Sequence, residues 1–245
     1  VKGKGTTIVK NAAREPEISD LQNFLNAMGA KVYGCGTPTV VVEGVSRLHG
    51  AEYTPIPDRI EAGTFLIAAA MCGGEIEVCN ADAENIASLL HKLREISCKV
   101  WAKDDKIYIR SKDKPLSPNL VETQPYPGFP TDLQAQMTAL SCVAEGSTLI
   151  VENLFETRFK HVPELIKMGA DITVRGRSAL VRGVNNLHGA DVVASDLRGG
   201  AALTLAGLAA EGNTTVTDLS YIDRGYFGFE YKLRDLGAKI KRIHI

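Results

Sequence analysis

Three acidic residues stand at the starts of strongly apolar stretches, where a carboxylate can either cap a helix or act on a ligand. They are Asp58, Asp132 and Asp196. For Asp58 we expect capping, because Asp58 and Glu61 have the spacing of a capping box. Asp132 differs, because Thr131 and Gln134 have that spacing themselves and can form the box without it. We therefore predict that Asp132 is available for chemistry in the first turn of its helix.

Basic residues near these helix starts favour an anionic ligand. Helix N-termini bind phosphate and other anions, and Arg59 and Arg198 follow closely after two of the acids. Arg14, Arg158 and Arg224 recur in loops that follow the first strand of three sequence repeats. A single surface arginine is usually only solvated, whereas three at matching places in a repeat favour anion binding. The sequence contains neither a P-loop nor a complete GxGxxG.

The segments that position these residues are copies of one pattern, which occurs nearly four times along the chain. Each copy opens with a glycine and a strand-like stretch and continues through an amphipathic stretch, which in three copies ends at a glycine suited to a left-handed helix terminus. The opening glycines are Gly5, Gly74, Gly146 and Gly212, and the closing ones are Gly29, Gly169 and Gly237. Two copies also share a Leu-His-Gly turn, at His49 and His188, for which we expect a structural role.

The spacing of apolar residues predicts the elements of the first copy. Residues 6–9 form a strand, and Leu21, Phe24, Leu25 and Met28 repeat at the spacing of one helix face. Further strands are predicted at 31–33, 39–43 and 51–54. A second helix, apolar almost all round, closes each of the first three copies, at about 59–71, 133–144 and 197–210.

A helix without a polar face belongs inside a core, so we predict that these second helices are buried and the first helices face solvent on one side. The fold class is α/β, with repeated βαβαββ-like units, and the buried helices suggest an inside-out α/β barrel with sheets around them. The fourth copy ends at 239–245 without its last strands and buried helix. We expect another chain, or a segment before Val1, to complete that sheet edge, with self-association as a consequence if neither does.

Composition excludes several classes of protein. A formal net charge of -1 and a pI of about 6.6 give no electrostatic footprint for nucleic acid. The five cysteines contain no CxxC pair, so we expect reduced thiols in a cytoplasmic protein and no zinc site. The sequence has no apolar run long enough to span a bilayer and no signal peptide at its start, which predicts a soluble protein.

With these residues in place, the chain resembles the enolpyruvyl transferase family, and within it the bacterial UDP-N-acetylglucosamine 1-carboxyvinyltransferases. The resemblance runs from Gly5 to the C-terminus. Its strongest blocks are Asn11-Ala-Ala-Arg-Glu-Pro-Glu17, Pro57-Asp-Arg-Ile-Glu61, Phe129-Pro-Thr-Asp-Leu-Gln-Ala-Gln136, Glu156-Thr-Arg-Phe-Lys-His-Val-Pro-Glu164, Ala194-Ser-Asp-Leu-Arg198 and Ile222-Asp-Arg-Gly-Tyr226. The sister transferases that act on 3-phosphoshikimate share the repeat but fit these blocks less well.

The resemblance implies two inside-out α/β domains that close over a cleft. Residues 1–56 would be the last repeat unit of the first, incomplete domain, and 57–245 most of the second. The family's own N-terminal strands complete that second domain, so we expect a missing N-terminal portion of the same protein as a partner. The resemblance then covers the C-terminal part, somewhat over half, of such an enzyme.

The resemblance also implies roles for individual residues. Asp132 matches the carboxylate proposed to remove the proton of the sugar hydroxyl, and the backbone of Leu154 lies at a contact with the UDP-sugar. Arg224 matches an arginine that holds the phosphate of phosphoenolpyruvate. Residues that would line the cleft or support these contacts are Asp196, Arg198, Arg158 and Arg59.

The implied reaction adds the 3′-hydroxyl of UDP-N-acetylglucosamine to C2 of phosphoenolpyruvate and then eliminates phosphate, the first committed step of peptidoglycan synthesis. It requires neither a metal nor an organic cofactor. The family's proton-donor cysteine lies on a loop that none of the five cysteines matches, so we expect this chain alone to be inactive. Two alternatives stay open: a non-catalytic sugar-nucleotide-binding remnant, and transfer to 3-phosphoshikimate.

Overall fold

The computed structural model describes residues 1–111 and 114–243 and divides into two compact units. Unit 1 comprises Val1–Asp58 and Pro125–Gly128, and unit 2 comprises Arg59–Gln124 and Phe129–Ile245. His244 and Ile245, at the end of the fourth sequence copy, lie outside the described residues. In the described ranges, no helix has the length and apolar character needed to cross a bilayer.

Unit 1 is a small antiparallel sheet with one helix. Its elements are β1 (Thr6–Lys10), α1 (Pro16–Ala27), β2 (Lys31–Tyr33) and β3 (Thr39–Glu43), and the strand order is β1-β3-β2. These strands confirm the first three predicted in the first copy. Gly29 has a φ of 89°, which confirms the left-handed residue after α1. None of the residues of α1 is fully buried, and Leu21 and Phe24 of its predicted apolar face are exposed.

The strand predicted at 51–54 is wrong, because this segment has no regular structure. Its counterparts in the later copies are β7 (Leu120–Glu122) and β11 (Asp191–Val193), and each of those pairs in parallel with a neighbouring strand. A strand persists only where its backbone N–H and C=O groups find partners. Residues 51–54 belong to none of the described sheets, so the repeat pattern alone does not make them a strand.

Unit 2 contains the remaining repeats. Its other strands are β4 (Gly74–Cys79), β5 (Lys99–Lys103), β6 (Lys106–Ser111), β8 (Ser147–Val151), β9 (Asp171–Arg175), β10 (Ser178–Arg182) and β12 (Thr215–Thr217). Its α-helices are α2 (Arg59–Cys72), α3 (Ala87–Glu95), α4 (Gln134–Val143), α5 (Val162–Lys167), α6 (Leu197–Ala209), α7 (Ser220–Asp223) and α8 (Phe229–Asp235). Two short 3-10 turns are Glu84–Ile86 and Thr131–Leu133.

The core of unit 2 lies around α2, α4 and α6, which pack against one another. Nearly every residue of α2 and every residue of α4 is buried, which confirms the prediction for the second helices. Two glycines permit the close packing. A Cβ on Gly63 would lie 2.7 Å from Leu133 Cδ1, and one on Gly200 would lie 2.7 Å from Ile222 Cγ1. These helices can approach their neighbours only because both positions lack a side chain.

The sheets of unit 2 pack against these helices. The strand orders are β4-β6-β5, β7-β8-β10-β9 and β11-β12. The pairs β7–β8 and β11–β12 are parallel and the others are antiparallel, so the unit has the α/β class with mixed sheets. Helix α3, which follows the first strand of the second copy, buries Leu89, Leu90 and Leu93, as expected for an amphipathic helix with one face toward solvent.

The two Leu-His-Gly turns have the structural role that their equivalence predicts. The amide of His49 donates to the carbonyl of Met28 at 2.9 Å, and the amide of His188 donates to that of Met168 at 2.8 Å. The two rings lie over the glycines that end the preceding helices, because a Cβ on Gly169 would come within 3.3 Å of His188 Cδ2. Each turn therefore covers a helix terminus within its own unit.

Candidate active site

A carboxylate held by two arginines lies at the start of α4. Asp132 occupies the 3-10 turn Thr131–Leu133, and its Oδ1 is 2.6 Å from Arg158 Nη2 and 3.4 Å from Arg198 Nε. The Asp132 side chain is 42% exposed, and those of Arg158 and Arg198 are 21% and 15% exposed. One negative and two positive charges therefore meet at a surface that solvent can reach, an arrangement with an excess of positive charge for an anionic ligand.

Asp132 holds this position because its neighbours are fixed by a buried acid that the sequence analysis missed. Glu152 directly follows β8 and is fully buried. Its carboxylate accepts hydrogen bonds from the Thr123 and Thr131 hydroxyls, each at 2.9 Å, and from the amides of Leu154 and Phe155 at 2.9 and 3.1 Å. One side chain thus joins the turn that carries Asp132 to the loop that carries Leu154.

The capping box predicted for Thr131 and Gln134 is wrong. Thr131 lies inside the 3-10 turn, and its hydroxyl donates to Glu152 instead of accepting from the helix. The side-chain nitrogen and oxygen of Gln134 are buried without a hydrogen-bond partner in the described structure. The spacing of Thr131 and Gln134 could not reveal that Glu152 competes as an acceptor, because Glu152 is distant in sequence.

Asp196 caps helix α6. Capping is one of the two roles that the sequence allows for Asp58, Asp132 and Asp196, the other being action on a ligand. Asp196 Oδ1 accepts from the amides of Arg198 and Gly199 at 3.0 and 2.8 Å, at the N-terminus of α6. This cap fixes the backbone from which the Arg198 side chain extends toward Asp132. The cap on α6 and the ion pairs at the start of α4 therefore meet through Arg198.

Other candidate residues take separate places. The Leu154 side chain is partly exposed in the loop after β8, in the same segment as Arg158, whose guanidinium lies 4.8 Å from the Phe155 ring centroid. Arg59 is buried at the start of α2, a helix that packs against the turn Thr131–Leu133. Arg224 follows α7 and is exposed, and no described residue forms an ion pair with it.

A buried histidine, His161, lies three residues after Arg158 and directly before α5. His161 is 1% exposed, and its Nε2 has no hydrogen-bond partner in the described structure. Burial lowers the pKa of His161 to about 4, Arg158 adds to this effect, and Asp196 opposes it. The ring is therefore neutral at neutral pH. Among residues 1–111 and 114–243, no group of three or more His, Cys, Asp or Glu residues is arranged to hold a metal ion.

A site that combines a positioned carboxylate, arginines and helix N-termini within repeated α/β units is of the kind used for acid–base chemistry on anionic substrates. A family model described as EPSP synthase (3-phosphoshikimate 1-carboxyvinyltransferase) matches residues 1–233. The chain therefore belongs to this family.

Within this family, the chain is similar to curated relatives named UDP-N-acetylglucosamine 1-carboxyvinyltransferase. The chain is 52% identical over 239 residues to UDP-N-acetylglucosamine 1-carboxyvinyltransferase 2 of Caldanaerobacter subterraneus subsp. tengcongensis, covering 98% of this chain and 57% of that relative. It is 51% identical over 240 residues to UDP-N-acetylglucosamine 1-carboxyvinyltransferase of Trichlorobacter lovleyi, with the same two coverages. The chain thus spans 57% of the length of these relatives.

Solved structures share the fold. The enolpyruvyl transferase NikO from Streptomyces tendae superposes with a TM-score of 0.87 at 29% identity, over 98% of this chain and 57% of that one. EPSP synthase from Acinetobacter baumannii superposes with a TM-score of 0.75 at 17% identity, over 99% and 59%. At that identity, the second similarity concerns the fold alone.

Proposed function

We propose that the protein carrying this chain is a transferase that moves the enolpyruvyl group of phosphoenolpyruvate to the 3′-hydroxyl of UDP-N-acetylglucosamine. The observation that carries the proposal is the ion-paired carboxylate of Asp132 at the start of a buried helix. The proposal is further supported by the similarity to relatives that are named for this reaction. Peptidoglycan synthesis is then the process that the protein serves.

Asp132 is proposed as the base that activates the sugar hydroxyl. The shortest contacts of both arginines with Asp132 are to Oδ1, at 2.6 Å for Arg158 and 3.4 Å for Arg198. The other carboxylate oxygen, Oδ2, is proposed to take the hydroxyl proton while the hydroxyl oxygen bonds to C2 of phosphoenolpyruvate. C3 gains a proton in the same addition. Loss of phosphate from C2 and of a proton from C3 then restores the double bond.

Positive charge is proposed to hold the phosphate and stabilise its departure. Arg224 is exposed and carries no ion pair with the described residues, so its guanidinium is available for a phosphate group. Arg198 and Arg158 supply further positive charge beside Asp132, and Arg59 begins the neighbouring buried helix. No metal or organic cofactor takes part in this scheme.

Two further residues, Leu154 and Asp196, are proposed to lie beside the substrates. The backbone of Leu154, fixed by Glu152, is proposed to touch the UDP-sugar. Asp196 is proposed to line the cleft while it caps α6. The donor of the proton to C3 is, by the resemblance described above, a cysteine in a part of the family that these 245 residues do not match. Turnover is therefore proposed for a protein that contains both parts, and the 245 residues alone are expected to be inactive.

The proposed architecture is an inside-out α/β barrel for each domain, with 1–56 in one domain and 57–245 in the other. The mutual packing of α2, α4 and α6, with sheets against them, supports this arrangement for unit 2. A cytoplasmic location belongs to the same proposal, because all five cysteines are unpaired, as is usual in a reducing compartment.

The test is Asp132→Asn in the natural gene product that carries this sequence. We expect phosphate release dependent on UDP-N-acetylglucosamine to fall at least about a hundredfold, because a positioned general base contributes that much. Binding of the UDP-sugar, measured by calorimetry, should persist. The matched control is Asp171→Asn, which removes an aspartate paired with Arg182 on the β9–β10 surface and should leave turnover unchanged. Parent-like turnover in Asp132→Asn would remove Asp132 from the role of base.

A second candidate acceptor is 3-phosphoshikimate, which is favoured by the description of the matching family model. Competition between the two acceptors in one assay separates the candidates, since only the true acceptor gives an enolpyruvyl product at low concentration. Binding of the UDP-sugar without product from either acceptor would instead identify a non-catalytic binding protein.

A further inference from the structure

A chain of buried polar groups runs from Arg198 into the core of unit 2. The Arg198 guanidinium donates from Nη1 to the Tyr226 hydroxyl at 3.2 Å. That hydroxyl lies 2.9 Å from Thr64 Oγ1 on α2 and 3.3 Å from Gln136 Nε2 on α4, and Gln136 Nε2 is 3.1 Å from the Thr64 hydroxyl. Tyr226, Thr64 and Gln136 are all buried. Polar groups in such a core are stable only when they bond to one another.

The donors and acceptors of this chain fix the direction of each hydrogen bond. Arginine can only donate and the Gln136 amide nitrogen also donates, so the Tyr226 oxygen accepts from both. The Tyr226 hydroxyl then donates to Thr64 Oγ1, because the Thr64 hydroxyl already donates to the Ile60 carbonyl at 2.8 Å. Burial raises the pKa of Tyr226, so the phenol keeps its proton and the direction holds at neutral pH.

Arg198 is therefore held at several points. Its backbone amide is fixed by the Asp196 cap at 3.0 Å, and its Nε lies 3.4 Å from Asp132. The Tyr226 hydroxyl holds Nη1, and the guanidinium carbon lies 5.7 Å from the Tyr226 ring centroid. An arginine side chain has several freely rotating bonds, so the backbone cap alone cannot set where the guanidinium lies.

We propose that Tyr226 is a positioning residue, whose hydroxyl orients the Arg198 guanidinium against Asp132 and so couples the buried core to the acid at the surface. The link to turnover rests on the function proposed above. The chain Tyr226–Thr64–Gln136 connects α2 and α4 to the segment after α7, so the position of Arg198 depends on the packing of the helices. Arg198 and Asp132 contact the substrates in this scheme, and Tyr226 acts through Arg198.

Tyr226→Phe isolates the hydroxyl, because phenylalanine keeps the ring that packs 4.7 Å from the Phe229 ring. In the natural gene product we expect kcat to fall about tenfold, the size of one hydrogen bond to a charged group. KM for the UDP-sugar should change little, because the lost interaction orients the reacting carboxylate. The control Ser141→Ala removes a buried hydroxyl that bonds only within α4, to the Met137 carbonyl, and should leave kcat unchanged.

A double-mutant cycle distinguishes positioning from a general structural role. Arg198→Lys keeps the charge and removes the Nη1 donor. If Tyr226 acts through Arg198, Tyr226→Phe should have no further effect on kcat in the Arg198→Lys background. A tenfold loss that multiplies with the loss from Arg198→Lys would overturn the proposal, because a hydroxyl that only stabilises the core is independent of Arg198.

Crystal structures of the parent and of Tyr226→Phe provide a measure that does not depend on turnover. The proposal expects the distance from Arg198 Nε to Asp132 Oδ1, which is 3.4 Å here, to increase beyond ion-pair range in the variant. An unchanged Arg198 would overturn the proposal even if kcat falls. If the parent releases no phosphate with either acceptor, the proposed function fails, whereas a displaced Arg198 in Tyr226→Phe still supports the positioning role.

Discussion

At the scale of single residues, three acidic residues near one another have different roles because their surroundings differ. Asp132 is partly exposed and paired with two arginines, Asp196 caps α6 through two backbone amides, and Glu152 is fully buried among hydroxyl and amide donors. A carboxylate in a surface site can bind or exchange a proton with a ligand, whereas one satisfied by buried donors is fixed. The chemistry is therefore expected at Asp132 and the support at Glu152.

The contacts of Glu152 predict a graded loss of stability. Glu152→Met leaves the hydroxyls of Thr123 and Thr131 and two amides without their acceptor, so we expect a fall in the free energy of unfolding of at least about 3 kcal/mol. Glu152→Gln keeps one acceptor oxygen and should cost about 1–2 kcal/mol. Denaturant unfolding, followed by circular dichroism, measures both.

Glu156→Met is the matched control for this series. The Glu156 side chain is 86% exposed and lies 3.6 Å from Arg177, so its loss should change the free energy of unfolding by no more than about 0.5 kcal/mol. Equal losses in Glu152→Met and Glu156→Met would show that the buried hydrogen bonds do not support the site.

At the scale of elements, the repeats differ where one copy meets the next. Gly50 and Gly189 follow the histidines of the two Leu-His-Gly turns. The amide of Gly189 donates to the Glu211 carbonyl at 2.7 Å, just before β11 pairs in parallel with β12. Gly50 precedes the segment 51–54, which forms no strand. Equivalent glycines therefore have different neighbours, because only one of the two copies is followed by a paired strand.

This difference predicts opposite outcomes for the same substitution. A Cβ on Gly189 would lie 2.2 Å from the Asn213 carbonyl oxygen, so Gly189→Ala should lower the free energy of unfolding by about 1–3 kcal/mol. A Cβ on Gly50 would meet no atom within 4 Å, so Gly50→Ala should be neutral or stabilising by up to about 1 kcal/mol. Thermal unfolding of the two variants provides the comparison, and a destabilised Gly50→Ala would contradict the assigned difference in packing.

At the scale of the whole molecule, the core of unit 2 encloses a group that can titrate. His161 is almost completely buried before α5, and burial lowers its pKa to about 4. An unfolded chain exposes this ring to water, where its pKa is about 6.5. Below pH 6.5 the unfolded state therefore binds a proton that the folded state does not bind, so acid favours unfolding through His161.

The pH dependence of unfolding should show this contribution. Between pH 7 and pH 4.5 we expect His161 to reduce the free energy of unfolding by about 2–3 kcal/mol, with the loss beginning as the pH falls through about 6.5 and levelling off below about 4. His161→Phe has a ring that cannot take up a proton, so the parent should lose this much more stability than the variant over the same interval. Proton NMR titration of the ring measures the pKa of His161 directly, and a pKa near 6.5 in the folded protein would contradict the prediction.

Much of the fold could be predicted from sequence because its signals are local. The apolar stretches placed the buried helices α2, α4 and α6 within a few residues of their observed bounds. The glycines at 29, 169 and 237 have the positive φ values that a left-handed helix end requires. The resemblance in the blocks around Asp132 and Arg198 also pointed to the family to which the chain belongs.

What only the tertiary structure decided depends on residues far apart in the sequence. The hydroxyl of Thr131 bonds to Glu152 instead of capping its helix, and segment 51–54 forms no strand. The contacts of Asp132 with Arg158 and Arg198, and of Arg198 with Tyr226, arise only when separate elements fold together. Local spacing determines which segments become helices and which face is apolar, since those depend on near neighbours. The partner of a polar group is determined by competition among all donors and acceptors that the fold brings within reach, and that competition has no local signature.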